Sequence, residues 1–426
     1  MQSQLVYRLL NVTGVLLTFG IVGAGVLYLL AAHPPAPPVA VSTVDELDAY
    51  LTKLTASGDP PGLSVTVVKG NKIIYNRAFG LADSPAQIAA TPDTVYHWWS
   101  MTKIVTAIAV LQLSERGQLD LDAPVADYLP WFDVQYGSGA SKAVTVRQLL
   151  NHSSGLLDPM PAMIGWMHYA DELVDQTDLI RRQLPQFSKL QSSPGTKAAY
   201  TNLGYMVLGA IVERVSGQTY AAYVTDNILQ PLGMWRTGFL YPEEQQAEEA
   251  RGSQPLVHLY TPLLPFLLDT KALIHGRSGN ILWLNRVYTD ALPPSGLIGP
   301  APDVARLLLA FLHGGELDGA RILSPQSMAM MTAVPPGLAD AQNVANAWGS
   351  EHGLGWLFVT DRGHLRLQHD GGGPGFATTM RLYPKEDLGI VVMANGTDLE
   401  RDALAALITQ TFGGSIEEVT AQLPQR

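Results

Sequence analysis

The 426-residue chain contains no cysteine. Disulfide bonds, thiol nucleophiles and thiolate metal sites are therefore absent, which fits a place outside the cytoplasm without requiring one. Charge is also scarce, at 15% of residues, and the formal net charge is −11. No run of Lys or Arg offsets that balance, which argues against a nucleic-acid partner. Two hydrolase signatures are missing as well. There is no Gly-x-Ser-x-Gly, which speaks against an α/β-hydrolase. There is no His-Glu-x-x-His, and the ten histidines show no ligand spacing, which speaks against a zinc peptidase. No metal and no cofactor are expected.

What the chain does have is apolar bulk, 47% of its residues, enough for a large folded domain with subdomains or for two domains. At the N-terminus, Leu9 to Ala32 is 24 residues without a charge, long enough to cross a bilayer. Arg8 precedes it and Asp45 is the first charge after it, so the positive-inside rule keeps the N-terminus in the cytoplasm and the rest outside. A cleaved signal peptide would have a shorter apolar region and a cleavage site that the prolines of "AAHPPAPP" crowd out. The organisation expected is a membrane anchor over 1–32, a proline-rich spacer over 33–41 and one domain over 42–426.

Within that domain, Thr43 and Glu46 read as a capping box opening a helix. "GLSVTVVKGNKIIYNRAFG" reads as a hairpin turning at Lys69 to Lys72. Ser100 opens a helix that runs to Glu115 and stops at Gly117. The middle of the chain is mostly helical, and "NLGYMVLGAIVERVSG" is one such helix. From about His364 to Asn395 strands return, followed by a last helix to Phe412. Strands at both ends with helices between predict an α+β fold: one antiparallel sheet formed from both chain ends, flanked by helices, with an inserted, mostly helical subdomain. Residues 242–290 read as an insertion, and its stretch 255–268 is apolar but broken by Pro262 and Pro265. That stretch reads as a packed loop, or as an apolar wall over a substrate or a membrane contact.

The chemistry centres on "HWWSMTKIVTAIAVL", His97 to Leu111. Ser100 and Lys103, spaced i and i+3, lie on one helical face. A lysine on an inner face is costly to bury unless it loses its proton, and a neutral amine can take the proton of a serine. Tyr200-Thr201-Asn202 offers a phenol to shuttle a proton and an amide to orient a carbonyl. His369-Asp370-Gly371-Gly372 ends a strand, where glycine lets a substrate approach the backbone. A core tyrosine and a plain glycine turn are the ordinary readings of the last two motifs taken singly.

Taken in order, Ser-x-x-Lys, Tyr-x-Asn and His-x-Gly resemble the serine β-lactamase and penicillin-binding family. More narrowly they look like its class C branch, which includes esterases, D-amino-acid peptidases and related membrane-anchored hydrolases. "TPDTVYHWWSMTK", "VTVRQLLNHSSGL", "PPSGLIGPAPDVARLLLAFLHGG" and "HDGGGPGFATTMRLYP" resemble family counterparts, and the likeness spans roughly Asp45 to Phe412. The resemblance implies Ser100 as acylated nucleophile, Lys103 as its base and Tyr200 as a sharer of the proton transfers. It implies Asn202, His369, Asp370, Gly371 and Gly372 at the substrate, and the N–H groups of Ser100 and Gly372 as an oxyanion hole. His152 reads as structural.

One departure matters: many relatives carry a lysine where this chain has His369. A histidine is mostly neutral near pH 7, which disfavours carboxylated β-lactams and favours esters or small amides. A rival Ser278-Gly279-Asn280 inside the insertion ranks below Tyr200. The expectation is a small-molecule ester, amide or peptide hydrolase, anchored in a membrane with its domain on the extracytoplasmic side. The alternative is a catalytically silent relative that binds cell-wall fragments or a protein partner.

Overall fold

The computed structural model describes residues 35–137, 143–160, 162–241, 248–256, 261, 269–333, 351–361 and 364–414. The uncharged run Leu9–Ala32 and most of the apolar stretch 255–268 lie outside the described residues. Among the described residues no helix is long and apolar enough to cross a membrane.

Helix α1 (Val44–Ala56) starts at the capping box: Thr43 accepts the N–H of Glu46, and the Glu46 carboxylate accepts the N–H of Thr43. The chain then forms β1 (Gly62–Lys69) and β2 (Lys72–Asp83), with Lys69 opposite Lys72 at the hairpin turn. After the short β3 (Ile88–Ala89) come the helices α2 (Thr102–Glu115), α3 (Val146–Leu150) and α4 (Asn202–Ser216). A small three-stranded sheet of β4 (Ser253–Pro255), β5 (Ile274–Ser278) and β6 (Ile281–Leu284) occupies part of the segment read as an insertion. Helix α5 (Ala301–Leu312) follows. The chain ends in β7 (Glu351–His352), β8 (Leu357–Asp361), β9 (His364–Gly373), β10 (Phe376–Tyr383), β11 (Leu388–Ala394) and helix α6 (Arg401–Phe412).

The main sheet has eight strands in the order β7-β8-β9-β10-β11-β1-β2-β3, each paired antiparallel to its neighbour. Its centre joins the two ends of the chain, with Leu63 of β1 opposite Ala394 of β11. This is the α+β architecture expected, extended by two strands ahead of His364.

Alternation along the strands sorts the core into two layers. Leu63, Val65 and Val67 of β1, with Ile390, Val392 and Ala394 of β11, pack against α1 and α6. Val391 and Met393 face the other way, toward α5 and the core layer that also contains α2 and α4. Helix α2 is buried from Thr102 to Leu113 on every side. A helix buried all round has no solvent face on which to place a lysine, and this makes Lys103 the odd residue of the layer.

Candidate active site

Ser100 is the middle residue of a single 3-10 turn, Trp99–Met101, that leads into α2. The sequence reading started the α-helix at Ser100; the helix proper begins two residues later. Ser100 and Lys103 still share one face, because three residues per turn bring i and i+3 into line. Trp99 holds φ at +49, a left-handed conformation that costs a non-glycine residue about 1–3 kcal/mol.

The surroundings hold that turn in place. The Trp98 N–H donates to the Leu297 carbonyl (2.9 Å), and the Trp98 carbonyl accepts the Thr378 hydroxyl of β10 (3.1 Å). The glycines of β9 are explained by the same packing. A Cβ on Gly371 would lie 2.0 Å from the Trp98 carbonyl oxygen, and one on Gly373 would lie 2.6 Å from the Trp99 ring. These glycines admit the nucleophile turn against the strand. Gly372 faces away, and a Cβ there would meet only Arg401 at 3.2 Å.

Lys103 is fully buried. Its Nζ lies 3.1 Å from Ser100 Oγ, 2.7 Å from Asn202 Oδ1 and 3.0 Å from the Pro294 carbonyl oxygen. Burial drives its pKa well below the ordinary lysine value, and the charge of Asp158 opposes that shift. Tyr200, just ahead of α4, donates its phenol hydrogen to Ser100 Oγ at 2.7 Å. Its ring also sits 4.8 Å from Lys103 Nζ. Burial raises the Tyr200 pKa, partly offset by the hydrogen bond to Ser100. At neutral pH the phenol is therefore a donor.

When Lys103 is neutral, the acceptors around it fix the direction of every bond. A neutral amine has two N–H groups and one lone pair. Asn202 Oδ1 and the Pro294 carbonyl can only accept, so they take both N–H groups. The lone pair then faces the Ser100 hydroxyl, whose oxygen already accepts from Tyr200. The serine proton points at the base.

Asn202 was assigned to the substrate, yet both ends of its amide are used within the protein. Its Oδ1 meets Lys103, and its Nδ2 donates to Asp158 Oδ1 at 3.2 Å. Helix α4 is capped by Thr201, whose side chain accepts the Leu203 N–H. His152 Nδ1 accepts the Thr201 N–H at 3.1 Å, and its ring lies 4.7 Å from that of Tyr200. That is the structural role read for it.

His369 lies on the nucleophile side of β9, its ring centre 6.3 Å from that of Tyr200. Its Nδ1 donates to the Asp370 carbonyl at 2.9 Å, and Nε2 has no hydrogen-bond partner among the described residues. Burial lowers its pKa to about 3, so the ring is neutral at pH 7. Asp370 corrects the sequence reading. Strand alternation turns its side chain to the opposite face of the sheet from His369, where it accepts the Thr379 hydroxyl at 2.6 Å and pairs with buried Arg381 at 3.1 Å. It braces the strand and does not reach the nucleophile. Ser278, the rival, is the exposed last residue of β5, beside the turn to β6.

Three participants escaped the sequence reading. The Pro294 carbonyl is main chain and carries no side-chain signal. His352, whose ring centre is 6.3 Å from that of Tyr200, lies on a strand that was not foreseen. Asp158 follows directly on "NHSSGLL", and that position was its one available signal.

The family model "Beta-lactamase" matches residues 47–411. Esterase EstB from Burkholderia gladioli is 35% identical over 301 residues, covering 66% of this chain and 75% of the esterase. Protein flp from Staphylococcus aureus (strain N315) is 28% identical over 361 residues, covering 82% of this chain. The match spans 62% of the length of that first relative. The octameric penicillin-binding protein homologue from Pyrococcus abyssi shares the fold, with a TM-score of 0.67 at 24% identity over 87% of this chain and 78% of that one.

Proposed function

The chain belongs to the beta-lactamase family, and from that premise we propose a membrane-anchored serine hydrolase that works through an acyl-enzyme on esters or small amides. The observation that carries the reading is the convergence on Ser100 Oγ of Lys103 Nζ at 3.1 Å and the Tyr200 phenol at 2.7 Å. These groups come from segments about one hundred positions apart, and such meetings of nucleophile, base and donor are the mark of an activated serine.

In this reading Lys103 takes the Ser100 proton as Oγ attacks the acyl carbon. The Ser100 and Gly372 N–H groups stabilise the oxyanion. Collapse breaks the bond to the leaving group, which takes its proton from Tyr200, and Tyr200 is reprotonated from Lys103. Water then attacks the Ser100 ester and gives a proton to the Lys103 amine; collapse breaks the ester bond, Ser100 Oγ takes that proton back from Lys103, and the acid leaves. Asn202 serves by holding Lys103. Neutral His369 supplies no positive charge for a substrate carboxylate, which favours neutral esters over carboxylated β-lactams. Esterase EstB, named for its ester substrates, supports the same choice.

The anchor belongs to this proposal too. The uncharged run Leu9–Ala32 and the flanking charge pattern support a single span, with the domain from residue 42 onward on the extracytoplasmic side. A substrate panel tests the function: short p-nitrophenyl esters, a D-Ala-D-Ala peptide and a chromogenic cephalosporin. Turnover is expected for the esters first. Turnover of the cephalosporin far above the esters would reverse the ranking, and no turnover of any would remove the proposal.

A further inference from the structure

The donor-acceptor order at Ser100 depends on which end of the Asn202 amide faces Lys103. With Oδ1 inward, the amide accepts an amine N–H and the lysine lone pair is left for Ser100. With Nδ2 inward, the amide would donate to that lone pair, and Lys103 would turn an N–H toward Ser100. The base would then be occupied. The two orientations have nearly the same shape, so something outside the pair must select one.

Asp158 is placed to do so. Its Oδ1 lies 3.2 Å from both the backbone N–H and the Nδ2 of Asn202. Burial raises the Asp158 pKa, and the N–H donors of Asn202 and the charge of Lys103 oppose that rise. As a carboxylate it accepts and never donates, so it holds Nδ2 outward and leaves Oδ1 for Lys103, 2.7 Å away. We infer that Asp158 is a positioning residue that sets the polarity of the Asp158–Asn202–Lys103–Ser100 chain and so keeps the base available. The inference rests on the acyl-enzyme reading above.

The groups facing Lys103 are the rings of Tyr200 and Tyr205, the imidazoles of His152 and His369, and the Asp158 carboxylate. Removing the last of these takes away a negative charge that favours the protonated amine. The pH dependence then moves in a direction that a merely structural loss would not produce.

The experiment measures labelling of Ser100 by a fluorophosphonate probe across pH in the full chain, for wild type, Asp158→Asn, Asp158→Ala, Asn202→Ala and the double variant Asp158→Ala/Asn202→Ala. Asp158→Asn is near-isosteric, so it decides the matter if Asp158→Ala does not fold. The maximal labelling rate is expected to fall about 10- to 100-fold in both Asp158 variants, a fraction of what a general base contributes, with little change in the half-saturating probe concentration. The acid limb is expected to move to lower pH. The double variant is expected to be no slower than Asn202→Ala, because Asp158 acts through that amide. Wild-type rates and an unmoved limb in Asp158→Asn, or additive losses in the double variant, would overturn the inference alone. A folded wild type that does not label at Ser100 would overturn the acyl-enzyme reading and this inference with it.

Discussion

Tyr200 donates its phenol hydrogen to the oxygen of Ser100 across 2.7 Å, while Lys103 stands 3.1 Å from the same oxygen. One serine thus meets a donor and a base at once. Tyr200→Phe keeps the ring beside Lys103 and His152 and removes only the hydroxyl. The expected result is an unchanged melting temperature with kcat for a p-nitrophenyl ester reduced about 10²- to 10⁴-fold, the usual worth of a positioned proton donor. Circular-dichroism melting and steady-state kinetics on one preparation check it.

Lys103 works as a base only when neutral, and burial holds its pKa well below that of a free lysine. Activity is therefore expected to persist at neutral pH and to fall on the acid side as Lys103 takes up a proton. Lys103→Arg, which stays charged, should remove turnover across the whole range. A pH–rate profile of kcat/KM for both proteins checks this. An acid limb at the ordinary lysine value would refute a buried neutral amine.

The two neighbouring glycines of β9 should respond unequally. A Cβ on Gly371 would sit 2.0 Å from the Trp98 carbonyl oxygen and 2.2 Å from Thr378 Oγ1, displacing the turn that carries Ser100. Gly371→Ala is expected to cost about 3 kcal/mol or more, at the upper end for overpacking, and most of the activity. Gly372→Ala keeps the N–H and meets only Arg401, at 3.2 Å, so its losses of stability and turnover should be much smaller than those of Gly371→Ala. Urea unfolding of the two variants separates the cases.

Acid should destabilise the fold. Burial lowers the pKa of His97 and His352 to about 4 and that of His369 to about 3. The unfolded chain binds protons on these rings near pH 6.5, and the folded chain does not until lower pH. Stability is therefore full above about pH 6.5 and declines as the pH drops toward 4. Between those limits each ring removes up to about 1.4 kcal/mol for every pH unit of acidification. Melting temperatures from pH 7 to 4.5 should fall steadily, and a flat profile would contradict the burial of these imidazoles.

Much of this was legible in the chain because the signals are local or periodic. The Thr43–Glu46 box, the hairpin at Gly70 and the runs of β9 to β11 each carry their own chemistry. Ser100 and Lys103 stood out because a lysine ahead of an apolar helix calls for an explanation, and Tyr200 because a Tyr-x-Asn opens a helix. What stayed hidden depends on tertiary packing. The 3-10 turn at Ser100 exists because Trp98 and Trp99 press on Gly371 and Gly373, and no local spacing announces that. The Pro294 carbonyl became visible only once the chain brought it to Lys103. Asp370 was misplaced for a different reason. The period of two that puts His369 toward the site sends its neighbour to the other face, and that rule was available from the start.

The central claim is that Ser100 becomes acylated. Intact-protein mass spectrometry of the full chain, quenched in acid during turnover of a short p-nitrophenyl ester and followed by peptide mapping, tests it most directly. The account predicts one acyl group per chain, on the peptide containing Ser100, absent from Ser100→Ala. Ester turnover by Ser100→Ala at the wild-type rate, or an acyl group trapped on another residue, would contradict it.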